Sequence, residues 1–156
     1  MKAILTFLAL SLVALLISCE KPLCYEKPND EIAGIVVKVL GENGSYLAYR
    51  EGVGDLNRFG MLLATDKEYR LVFEYCCAGK LDSVDFAEYD ILGLGTLDKG
   101  RNSTYLREVQ IDDNLKKVVY TVSERYCKRS SPVRGNGNFV IVPKLPIGYS
   151  IEYVRK

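Results

Sequence analysis

The chain contains no histidine. That absence removes serine–histidine–aspartate and cysteine–histidine nucleophile pairs, histidine-ligated zinc or copper, and imidazole acid–base work. It has no tryptophan and no Cys-x-x-Cys pair. A zinc site would therefore need Cys24, Cys76, Cys77 and Cys127 together, two of them adjacent, which is poor tetrahedral geometry. An excess of one charge is missing too. The 21 basic residues stand against 20 acidic ones, whereas nucleic-acid binding needs a positive excess or a basic face. The longest apolar run, Ala3 to Ile17, carries no charge and is interrupted only by Thr6 and Ser11. It falls short of the roughly 20 residues of a comfortable bilayer span. Beyond it, no stretch sustains a helical period for twelve residues.

What stands at the end of that run is Leu16-Ile17-Ser18-Cys19, behind a Met1-Lys2 start. A short basic region and an apolar core of this length suit a signal peptide. The four-residue end resembles the lipobox of bacterial lipoproteins, with an aliphatic residue three places before the cysteine and a small residue just before it. The resemblance implies a diacylglycerol thioether on the Cys19 sulfur, palmitate among the acyl chains, and cleavage by signal peptidase II. Membrane lipid is then the first partner. Glu20 is not the aspartate that retains such proteins at the inner membrane in enterobacteria, so the cell envelope, and the outer membrane of a Gram-negative bacterium, is the expected location. Removing residues 1–18 leaves 138 residues, formally neutral, enough for one domain with its own core.

Residues 19–31 carry two Lys-Pro steps and six charges and are expected to form an extended tether. The remainder, 32–156, is expected to be an all-β domain, a single antiparallel sandwich or barrel of about seven or eight strands. Strands are expected in 32–40, 69–77, 103–111, 116–126, 138–144 and 148–156, with a hairpin at Asn43-Gly44 and another around residues 112–115. Val118, Tyr120 and Val122 should share one face. The apolar run 138–144 should be a central strand that Pro143 terminates.

Four cysteines in an exported domain predict two disulfides. Strand alternation over 69–77 would send Cys76 and Cys77 to opposite faces, pairing Cys76 with Cys127 and Cys24 with Cys77 by a small margin. The acidic group Asp82, Asp85, Glu88 and Asp90 lacks the glycine turn and last glutamate of a calcium loop and is expected to be a solvated turn or helical turn. No metal or other cofactor is expected.

Residues 127–138 form an expected loop in which Lys128, Arg129, Arg134, Gly135 and Gly137 could gather cations and backbone amides around an anion. Its Arg-Gly-Asn-Gly-Asn stretch resembles, loosely, an inhibitory loop of chagasin-type protease inhibitors, although the Asn-Pro-Thr-Thr-Gly type of loop is missing. About half of the chain, from the Val84–Gly93 region to Val154, resembles small lipoproteins of Bacteroidota, a group that implies no chemistry. The expected function is a non-enzymatic, membrane-anchored interaction or assembly module with an envelope protein or glycan as partner. The alternative is a protease-inhibitor-like or small-ligand-binding lipoprotein using the 127–138 loop.

Overall fold

The structure, a computed structural model, describes residues 30–41, 59–77 and 81–156, with the backbone alone at 74–77 and 130–134. The expected hairpin at Asn43-Gly44 lies outside the described residues, as do the signal peptide and nearly all of the tether.

Eight strands and one helix fill the described residues, arranged as two sheets that do not close into a barrel. The first sheet has the order β1 (Glu31–Gly34), β5 (Thr104–Asp112), β6 (Lys117–Arg125), β8 (Ser150–Arg155). The second has the order β2 (Lys38–Val39), β7 (Lys128–Pro143), β4 (Tyr89–Arg101), β3 (Met61–Leu63). Helix α1 (Asp66–Cys77) covers the outer face of the second sheet.

Alternation explains the layering. Leu92, Leu94, Val140 and Val142 leave the second sheet inward and meet Val109, Val118, Tyr120 and Val122 of the first. Ile91, Phe139 and Ile141 leave by the opposite face and meet Tyr69, Val72 and Phe73 of α1. β4 and β7 are therefore apolar on both faces, as strands with a layer on each side must be. The 138–144 run is the central strand that its sequence predicts.

Several expectations are corrected. The 69–77 segment is a helix, not a strand. Tyr69, Val72 and Phe73 have the i, i+3, i+4 spacing of one helical face, and all three are buried. Thr65 caps the helix: its Oγ1 accepts from the Glu68 amide at 3.2 Å, while Glu68 Oε2 accepts from the Ala64 amide at 2.9 Å. The 32–40 strand is broken in two. Gly34, at φ 68°, turns the chain from the first sheet to the second, and a Cβ there would stand 1.9 Å from the Val109 carbonyl oxygen.

The antiparallel expectation holds in part. β5–β6, β4–β7, β2–β7 and β3–β4 are antiparallel, but β1 runs parallel to β5 and β8 parallel to β6. Both parallel strands connect to the other sheet rather than to their neighbour, and such a crossing frees them from hairpin direction. β4 has no counterpart among the expected strands, because Gly93, Gly95 and Gly100 give it the composition of a loop. Finally, residues 128–138 are not a loop. They are the first part of β7, paired with β4 from Arg101↔Lys128 to Leu94↔Asn138, with one irregularity between Asp98 and Gly100.

Candidate functional site

β4, β6 and β8 end, and β1, β5 and β7 begin, at one end of the sandwich, the end at which the tether joins the domain. The polar chemistry inside the domain gathers just within it. On β5, alternation puts Arg107 between Tyr105 and Val109 on the buried face. A guanidinium in that position must be neutralised and bonded. Arg107 Nη1 donates to Asp30 Oδ2 at 2.7 Å and Nε to Asn138 Oδ1 at 3.0 Å. Asp30 Oδ1 also accepts from the Tyr105 amide at 3.0 Å. The last residue before β1 is thereby held at two points.

Asn138 is wholly buried and fully used. Its Nδ2 donates to Thr96 Oγ1 at 2.9 Å and to the Leu94 carbonyl at 3.2 Å, and its own carbonyl accepts from the Tyr120 hydroxyl at 3.2 Å. The Tyr105 hydroxyl donates to Asp98. Burial, with Asp98 adding to it, raises the Tyr105 pKa far above the usual tyrosine range. Burial raises Tyr120 as strongly, against a lowering pull from Arg107. Both phenols stay neutral. Among the described residues, no buried side-chain nitrogen or oxygen lacks a partner. A cluster so completely bonded locks two sheets and the start of β1 together.

The outer surface of the same end is cationic. Lys99 and Arg101 end β4, Lys128 and Arg129 begin β7, Arg125 ends β6, and Arg155 and Lys156 end the chain, all exposed. The carboxylates nearby are engaged. Asp30 holds Arg107, Glu31 lies 3.7 Å from Arg125, and Glu124 Oε1 accepts from the Lys99 amide and the Ser103 hydroxyl. At the far end lie Asp85, Glu88, Asp112 and Asp113, with Asp90 buried against Lys144 at 2.7 Å. Residues 86–88 form a turn as expected between Asp85 and Glu88, but Asp90 is not part of a solvated turn: it is buried on β4. Among the described residues no three acidic or cysteine side chains converge as a metal site would require.

The expected site residues divide accordingly. Cys19 and Cys24 lie outside the described residues. Cys76 and Cys77 close α1, where neighbours stand about 100° apart, so the alternation behind the preferred pairing does not apply. Cys127 is half-buried between β6 and β7, its amide donating to the Arg101 carbonyl at 3.1 Å. The backbones of Gly135 and Gly137 pair with Leu97 and Gly95. Their place in that ladder corrects the expected loop: this part of 127–138 is extended strand. Lys128 and Arg129 stay at the surface, and Arg134 pairs in register with Asp98. Arg107 was legible as a charge in the apolar alternation of β5; Asp30 and Asn138 carried no comparable signal. Comparison of the chain with protein-family models, curated proteins and solved structures finds no match.

Proposed function

We propose that the protein is a lipoprotein of the bacterial cell envelope, anchored through Cys19 and acting as a non-enzymatic interaction or assembly module. The observation that carries this is Leu16-Ile17-Ser18-Cys19 directly behind an uncharged apolar run. Two features support it. The two-point hold on Asp30 gives the tether a firm attachment, as an anchored domain needs. The buried polar cluster consists of groups bonded to one another, the arrangement of a scaffold rather than of an acid–base pair. The outer membrane is the proposed location, on the strength of Glu20.

The anchor is tested by metabolic labelling with palmitate. Cys19→Ser should abolish incorporation and leave the unprocessed precursor. Labelling unchanged in that variant would rule the anchor out.

A further inference from the structure

We infer that the tether-side end of the sandwich is a membrane-facing surface that takes anionic phospholipid headgroups. The inference rests on the reading that Cys19 carries the lipid, and it adds an orientation and a lipid class to that reading.

Chain connectivity supplies the first half. Asp30 is pinned to Arg107 and to the Tyr105 amide, so the tether leaves the domain beside the start of β5. Residues 19–29 span at most about 40 Å when fully extended. An anchored domain is thus confined near the bilayer, and the end from which the tether leaves is the one that can approach it most closely.

Charge supplies the second half. The β4–β5 turn and the β6–β7 junction bring Arg101, Lys128 and Arg129 together at that end, and Arg125 lies opposite Thr104 in the neighbouring ladder. β8, parallel to β6, adds Arg155 and Lys156. Acidic residues cluster at the opposite end, in residues 85–88 and 112–113. Lys116, Lys117 and Lys144 stand among those carboxylates, so among the described residues the excess of exposed cations lies at the end from which the tether leaves. Leu97, 59% exposed on β4, and Tyr126, packed over Gly100, supply apolar and amphipathic surface at the same level. A basic residue close to an anionic bilayer strengthens partition by about fivefold, and the effect fades beyond a Debye length of about 8 Å.

The experiment uses the full chain with Cys19→Ser, so that no acyl chain contributes, and vesicles of phosphatidylcholine with or without one third phosphatidylglycerol. The quantity measured is the difference between the two vesicle types, from which partitioning by the apolar run of residues 3–17 drops out. Binding should be at least tenfold stronger to the anionic vesicles and should fall steeply between 0.05 and 0.5 M salt, values chosen to bracket about 14 Å and 4 Å of screening. Replacing Arg101, Lys128, Arg129 and Lys156 together by serine should remove the difference, whereas Lys67→Ser with Lys116→Ser, away from this end, should preserve it. Equal binding to both vesicles, or equal loss in the two variants, would overturn the inference. Acylation of the unsubstituted chain is measured separately by mass. A missing acyl chain defeats the lipoprotein reading and with it the orientation's premise, whereas a missing vesicle difference on an acylated protein defeats the orientation alone.

Discussion

Arg107 is the residue on which the tether side of the core depends. Its side chain is 5% exposed, and among the described residues its charged partner is Asp30, whose own side chain is 44% exposed. Asp30→Ala would leave the guanidinium buried with its amide partner and water. The expected loss is about 1–3 kcal/mol, below that of a fully buried pair because solvent reaches the vacated site. Arg107→Leu should cost a similar amount for a different reason: Asn138 Oδ1 would lose its donor in a buried position. Urea denaturation of both single variants and the double variant checks the coupling. A double variant no worse than the poorer single one is expected; simple additivity would mean that the two do not act as a unit.

Helix α1 owes its existence to a cap and its position to two aromatic rings. Phe73 is wholly buried, 4.8 Å from Phe139 between ring centroids and 5.4 Å from Tyr69. Phe73→Ala should cost about 3–5 kcal/mol and expose 66–77 to limited proteolysis before the rest of the domain unfolds. Thr65→Ala should cost about 1 kcal/mol through the lost cap. The helix also reopens the disulfide pairing. Tyr69 contacts Phe86 near the acidic end and Phe73 contacts Phe139 further along, so α1 runs back toward the end that holds Cys127. A bridge from Cys127 to one of the two helix cysteines, with the other joined to Cys24, is our proposal. Non-reducing peptide maps of Cys76→Ser and Cys77→Ser distinguish the two cases by which variant frees Cys127.

Across the whole molecule, stability should fall at alkaline pH. Tyr105 and Tyr120 keep their protons in the folded state well above the pH at which unfolded tyrosine loses its own, near 10. Below that value both states are protonated and the two groups add no pH dependence. Above it the unfolded chain binds fewer protons, so folding weakens by about 1.4 kcal/mol per pH unit for each tyrosine. Melting curves from pH 8 to 11.5 should show this decline. It should be shallower in Tyr105→Phe with Tyr120→Phe, a variant expected to be less stable at pH 8 through the lost hydroxyl bonds.

The extent to which all this was legible in sequence follows from how local each signal is. The 104–125 hairpin, the burial of Val118, Tyr120 and Val122, and the central place of 138–143 are properties of neighbouring residues and their period, and sequence determined them. The cap of α1 was equally local, written in Thr65 and Glu68, yet alternating Leu71, Phe73 and Tyr75 concealed it, because a short amphipathic run satisfies both periods. Tertiary structure alone decided the rest. β4 is a strand despite its glycines because β7 offers a partner for the length of its backbone. Asp30 finds Arg107 across 77 positions, and the parallel placement of β1 and β8 comes from crossings between sheets. Charge shows the division most simply. Composition counts 21 cations against 20 carboxylates, and no count can say that folding brings Arg101, Lys128 and Arg129 to one end of the sandwich.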